Sequence, residues 1–288
     1  MGTFRVAAVQ MRSGRDVAAN IASAEALVRE AAAAGALYVQ TPEMTNLLER
    51  SRADLLAKIA GEADCPALAR FRALAAELGI HLHIGSLAVK LADGAVANRG
   101  FLIGPDGGIL ARYDKIHMFD VDLANGESWR ESATYRPGTE AVVADVGGAR
   151  LGLAICYDVR FPHLFRALAK AGAEVLAVPA AFTRQTGEAH WQVLMRARAI
   201  ENGAYVIAAA QGGSHEDGRE TYGHSLIVDP WGKVVAEAGA EPGVVVADID
   251  VAAVAAARAR IPALVNDRPF AAPGSHEAAV GDGQRRAS

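Results

Sequence analysis

The stretch A-R-L-G-L-A-I-C-Y-D-V-R-F-P, Ala149 to Pro162, decides how the rest of the chain is read. Arg150 to Ile155 has the composition of a short buried strand, and it ends at Cys156. Past the polar group Tyr157, Asp158 and Arg160, apolar residues return at three- and four-residue steps, at Phe161, Leu164, Phe165, Leu168 and Ala169, which is helical spacing. The pattern predicts strand, sharp turn, helix, with a thiol at the turn. Such a corner would aim the first amides of the helix at the sulfur, stabilising a thiolate and a developing oxyanion. A free cysteine is more often a small buried hydrophobe. A core cysteine, however, is not normally followed by Asp and Arg at a strand-to-helix corner.

Working outward, strands and helices alternate on both sides. Thr3 to Met11 reads as a buried strand, and Asn20 to Ala34 as an Ala-rich helix capped by Gly35. Leu37 to Gln40 reads as a strand stopped by Pro42, which leaves Glu43 on the loop at its carboxyl end. A helix is predicted over Pro66 to Leu78, then a strand from His81 to Val89. A hairpin around Gly104-Pro105-Asp106-Gly107-Gly108 comes next, and Lys115 follows directly after its second strand. Met118 to Pro137 is a long polar loop holding Glu127, Trp129 and Glu131, and a loop of that length in a compact domain is usually functional. After the cysteine corner the pattern repeats: strands at Glu174 to Pro179 and Ala204 to Ala210, a helix over Glu188 to Asn202, and a hairpin around Pro230-Trp231-Gly232. A strand from Val244 to Ile249 and a helix from Val251 to Arg260 close the pattern. The expectation is an α/β fold of two similar halves, their mixed sheets packed together with helices outside. Residues 1–270 read as one domain and 271–288 as a mobile tail.

Composition narrows the function. With 288 residues, 51% of them hydrophobic, the chain can bury a substantial core. A formal charge of -4 without a Lys/Arg cluster argues against nucleic acid as a partner. No apolar run approaches the length of a membrane span. Two cysteines, Cys65 and Cys156, give neither a disulfide framework nor zinc-ligand spacing, so a cytoplasmic protein needing no metal or cofactor is expected.

Glu43, Lys115 and Cys156 fall at the ends of separate strands, where ligands of α/β sheets bind, so they can converge. Together they form a coherent set: a carboxylate as general base, an ammonium to hold an oxyanion, and a thiol nucleophile. Singly, the glutamate and the lysine read more readily as surface charges; it is their joint appearance that points to a site.

T-P-E-M at 41–44, Y-D-K-I-H at 113–117 and A-I-C-Y-D-V-R-F-P at 154–162 resemble the three signature regions of the nitrilase superfamily of carbon-nitrogen hydrolases. The resemblance implies a four-layer αββα sandwich and a catalytic set of Glu43, Lys115 and Cys156. It also implies a second glutamate, best matched by Glu131 with Glu127 as competitor, that positions Lys115 and the substrate. The segments at 187–202 and 222–232 resemble the Nit branch of amidases. That implies a homodimeric enzyme that hydrolyses a small carboxylate-bearing amide through a Cys156 thioester and releases ammonia. Deaminated glutathione is the expected substrate; the amides of 2-oxo acids, or the substrates of a broader aliphatic amidase or carbamoylase, are the alternatives. A catalytically silent dimeric scaffold is the rival from another class. Arg160 is placed to contact a substrate carboxylate, or else to pair with Asp158 or Glu174. Tyr157, Phe182 and Thr183 are candidate pocket residues. His117 and His224 are candidates for ordering the site, and His190 and Trp191 for packing or a dimer surface.

Overall fold

The computed structural model describes residues 3–123 and 126–271. In the first half, β1 (Thr3–Gln10), β2 (Tyr38–Gln40), β3 (His81–Lys90), β4 (Val96–Ile103) and β5 (Ile109–Asp114) lie side by side, with α1 (Val17–Ala33), α2 (Arg52–Lys58) and α3 (Pro66–Leu78) between them in sequence. The long loop carries a small hairpin, β6 (Asp120–Asp122) with β7 (Ser128–Arg130). In the second half, β8 (Val142–Val146), β9 (Ala149–Leu153), β10 (Val175–Ala177) and β11 (Tyr205–Ala208) precede a side hairpin of β12 (Gly212–Ser214) and β13 (Glu220–Tyr222). Then come β14 (Leu226–Val228), β15 (Val234–Glu237) and β16 (Gly243–Asp250); α4 (Pro162–Lys170) and α5 (Arg184–Asn202) connect the parallel strands, and α6 (Val251–Arg260) follows.

The two main sheets run β16-β1-β2-β3-β4-β5 and β15-β14-β11-β10-β9-β8. Each holds three parallel strands, β1-β2-β3 or β9-β10-β11, flanked by one antiparallel neighbour and by an antiparallel pair. This is the predicted repetition of halves. Alternation along β1 builds the layers: Val6 and Ala8 face the second sheet's residues, while Ala7 and Val9 face the cluster formed by α1 and α3. The result is helix, sheet, sheet, helix.

Several boundaries differ from the sequence reading. The first helix starts at Val17, because the Asp16 side chain accepts from the amides of Ala18 and Ala19 and caps it. The α5 helix begins at Arg184, four residues earlier than its periodicity suggests. The strand at the cysteine corner ends at Leu153, and the corner itself is a 3-10 turn over Cys156–Arg160, with α4 starting only at Pro162. Of the proposed tail, only Ala271 is described; the rest lies outside the described residues. Among the described residues no helix is long and apolar enough to cross a membrane.

Candidate active site

Glu43, Lys115 and Cys156 meet at the floor of one cavity of about 660 Å³. All three are buried, at 4%, 2% and 7% exposure. Each is delivered by the end of a strand and fixed by neighbouring backbone.

Glu43 sits on the turn after β2, which a bulge in β3 holds. There Gly85 N–H donates to Thr41 Oγ1 (3.2 Å), Met44 N–H donates to Ser86 Oγ (2.9 Å), and Thr45 N–H donates to the Ser86 carbonyl (2.9 Å). A Cβ at Gly85 would lie 2.2 Å from the Thr41 carbonyl oxygen and 2.4 Å from Pro179 Cβ, so only glycine admits this approach of the two sheets. From the second half, Gln211 Nε2 donates to the Glu43 carbonyl (3.0 Å).

Cys156 has a left-handed backbone (φ 51°) and its N–H donates to the Pro179 carbonyl (2.9 Å). The corner is set by the buried Asp158, which accepts from Ile155 N–H (2.9 Å) and the Tyr113 hydroxyl (2.7 Å). Asp158 also accepts from the His117 amide (3.0 Å) and meets His117 Nδ1 at 2.7 Å. One carboxylate thus ties the Cys156 turn to residues on either side of Lys115. His117 also stacks on Phe161, with centroids 3.6 Å apart.

Lys115 Nζ donates to Glu43 Oε1 (2.8 Å) and to Glu131 Oε2 (2.8 Å) and Oε1 (3.0 Å). Asn98 Nδ2 lies in the same array, donating to Glu43 Oε1 (2.8 Å) and Glu131 Oε1 (3.2 Å). The amides of Ala181 and Phe119 donate to Glu43 Oε2 (2.9 Å) and Glu131 Oε2 (2.7 Å). Glu127 also lines the cavity, but its carboxylate accepts from Trp129 Nε1 (3.1 Å).

Electrostatics assign the resting charges. Burial opposes ionisation of Glu43, yet the Lys115 charge and hydrogen bonds from Lys115 and Asn98 outweigh it and hold the carboxyl below its ordinary range. Burial also disfavours the Lys115 ammonium, and here Glu131 and Glu43 prevail, raising it well above its ordinary value. Cys156 moves the other way: burial, then the Glu43 charge, push its thiol well above 9.0. The sequence reading expected a helix N-terminus to favour the thiolate. The intervening 3-10 turn sets α4 too far along the chain to do so, and the neighbouring carboxylate works against it.

Tyr157, Phe182 and Thr183 line the cavity. Arg160 is not among the lining residues: its guanidinium lies 5.5 Å from the Phe182 ring centroid and 5.9 Å from that of Tyr157, and its nitrogens meet His190 Nδ1 at 3.2 and 3.3 Å. The alternative pairing with Asp158 or Glu174 is not formed, since Asp158 is engaged by Tyr113 and His117, and Glu174 accepts from the Arg150 amide (3.1 Å). His224 lies outside the lining, stacked on Tyr222, and Trp191 is core, donating to the His224 carbonyl (2.7 Å). Asn98 and the Gly85-Ser86 bulge went unread in the sequence, although a glycine inside a strand pattern is itself a sign of a bulge or of close backbone approach. Among the described residues no group of three or more His, Cys, Asp or Glu is arranged to hold a metal ion.

The carbon-nitrogen hydrolase family model matches residues 5–259. The deaminated glutathione amidase of Synechocystis sp. is 41% identical over 271 residues, covering 92% of this chain and 98% of that protein. Omega-amidase NIT2 of Mus musculus is 37% identical over 270 residues, covering 93% and 96%. Among solved structures, the C. elegans NitFhit protein superposes with a TM-score of 0.87 at 37% identity, covering 93% of this chain and 66% of that longer one. A mutant amidase from Nesterenkonia sp. AN1, with the acetamide moiety of fluoroacetamide covalently added at its active-site cysteine, superposes with a TM-score of 0.78 at 28% identity, covering 92% and 94%.

Proposed function

The chain belongs to the carbon-nitrogen hydrolase family, and on that premise we propose that it is a thiol amidase for small carboxylate-bearing amides, with deaminated glutathione as its substrate. The observation that carries this reading is the convergence of buried Glu43, Lys115 and Cys156 on one cavity, where Lys115 Nζ donates to Glu43 Oε1 at 2.8 Å.

In the proposed reaction Glu43 takes the thiol proton as Cys156 sulfur bonds to the amide carbon. The carbonyl oxygen becomes an oxyanion, and Lys115 Nζ receives it by giving up one of its two contacts with Glu131. Collapse breaks the carbon-nitrogen bond, the protonated Glu43 delivers its proton to the departing nitrogen, and a thioester remains. Water activated by Glu43 then releases the acid. Glu131 and Asn98 hold Lys115 and Glu43 in register. Tyr157, Phe182 and Thr183 shape the acyl pocket, and Arg160 acts from behind its aromatic wall.

The leaving group follows from the substrate. Deaminated glutathione carries a secondary amide, so its nitrogen departs as the amine of cysteinylglycine; ammonia departs only from primary amides such as 2-oxoglutaramate. The likeness to omega-amidase NIT2 makes the primary amides the second reading. Assaying free amine from deaminated glutathione beside ammonia from 2-oxoglutaramate separates the two. Amine release is expected to dominate, and to vanish in Cys156→Ala with the fold intact. Turnover by Cys156→Ala above background would refute the nucleophile.

We further propose a cytoplasmic homodimer. Both cysteines are free, which suits a reducing compartment. Val193 and Ile200, two turns apart on α5, are exposed, as are Trp231, Ile261, Val265 and Phe270. Sedimentation should give twice the chain mass, falling to one chain in Val193→Glu/Ile200→Glu; a monomeric parent would end the proposal.

A further inference from the structure

The cavity floor offers no charge to an anionic substrate, because Lys115 is already bonded to two carboxylates. Four other cations line the cavity. Arg130 pairs with Asp122 and Arg219 with Asp217, both at nitrogen-oxygen distances below 3 Å. Arg50 and Arg52 have no carboxylate within ion-pair reach among the described residues, and both are exposed. The reacting groups are buried and these two arginines stand in solvent, so the cavity runs from a neutral-to-acidic floor to a cationic mouth.

Arg50 is the better placed of the two. Its Cζ lies 4.6 Å from the Trp129 ring centroid, and the Cζ of Arg219 lies 4.9 Å from it. The indole is itself held, with Nε1 donating to Glu127 and the residue set in β7. An exposed arginine ordinarily loses much side-chain freedom on binding an anion; one already lying on an aromatic face loses less.

We propose that Arg50, laid on Trp129 at the cavity mouth, binds a carboxylate carried by the leaving amine, and so makes the site selective for amides whose nitrogen bears an acidic peptide-like group. The placement rests on reading the floor as the acyl site: with the scissile carbon at Cys156 and the acyl part inside, the amine side points outward. In deaminated glutathione that side ends in the glycine carboxylate.

The test compares deaminated glutathione with its glycine methyl ester, which lacks that charge and adds only one methyl group. Binding is measured calorimetrically to Cys156→Ala and to Cys156→Ala/Arg50→Gln, so no turnover is needed. The acid should bind Cys156→Ala about fivefold more tightly than the ester, the upper end for a partly exposed ion pair. In the double variant the two ligands should bind alike. An equal preference for the acid in both proteins, or an equal loss of acid and ester affinity on changing Arg50, overturns the proposal; the second outcome would assign Arg50 to the acyl carboxylate. Turnover of deaminated glutathione by the parent enzyme is scored separately: its absence would refute the amidase reading, whereas the acid-to-ester ratio judges Arg50 alone.

Discussion

A cysteine that attacks a carbonyl carbon must lose its proton no later than the attack, and the surroundings of Cys156 oppose losing it earlier. Burial and the Glu43 carboxylate both favour the thiol, while the Lys115 charge opposes them and loses. The thiol is therefore neutral across the physiological range, and in the proposed reaction Glu43 acts as base only when a carbonyl is present to receive the sulfur's electrons. This predicts the pH behaviour of the resting enzyme. In a Cys65→Ser background, thiolate absorbance near 240 nm should show no step below pH 9, since the Cys156 value lies above 9.0. A step between pH 6 and 8 would mean a preformed thiolate and a different division of labour between Cys156 and Glu43. While the fold holds, the acid limb of activity should come from protonation of Glu43, below the ordinary carboxyl value of 4.5.

At the scale of elements, the strand ends that carry Glu43, Lys115 and Cys156 were legible because proline, hairpin and cysteine-corner signals mark them in the sequence. What escaped reading were features made only by contact. Asn98 looks like any polar residue in a strand until two glutamates converge on it, and Asp158 looks like a surface acid until Tyr113 and His117 fold over it. The short α2 was also missed, because seven residues give too little periodicity to detect. Its place is fixed instead by Glu49, which accepts from Arg15 (2.7 Å), Lys58 (2.9 Å) and the Ser51 amide (3.1 Å) and so anchors both ends of the helix beside Arg50 and Arg52. Burial would raise Glu49, yet these partners bring it down to about 2. A lowered carboxyl stabilises the fold above its ordinary value of 4.5, and that contribution is lost as pH falls toward 2. Glu49→Gln should therefore cost about 1 kcal/mol at pH 7, discounted for the exposure of Arg15, and lower Tm by about 2–4 °C. The difference from the parent should shrink on acidification. A Tm gap that is constant with pH would mean that packing, not charge, holds α2.

Across the whole molecule the decisive surface is the one between the two sheets, because the active site exists only while they stay in contact. Most of that layer is aliphatic, but His83 of β3 lies in it, with Nδ1 2.9 Å from the Tyr38 hydroxyl. Burial lowers His83 from 6.5 to about 3, so it is neutral in the folded protein at any pH where the enzyme works. Unfolding releases it to its ordinary value. Between about pH 6.5 and 3 the unfolded chain thus binds a proton that the folded one refuses, and stability falls with acid at up to about 1.4 kcal/mol per pH unit from this group. Replacing His83 by Leu removes the titration, though it leaves the Tyr38 hydroxyl only its longer bond to Gln40 Oε1 (3.4 Å) and costs about 1–3 kcal/mol at pH 7. Urea midpoints at pH 7 and pH 4.5 separate the two effects. The parent should lose more stability than His83→Leu over that interval, and amidase activity should disappear together with the fold rather than ahead of it. Parallel losses in the two proteins would place the acid sensitivity in the remaining titratable groups and leave the sheet interface indifferent to pH.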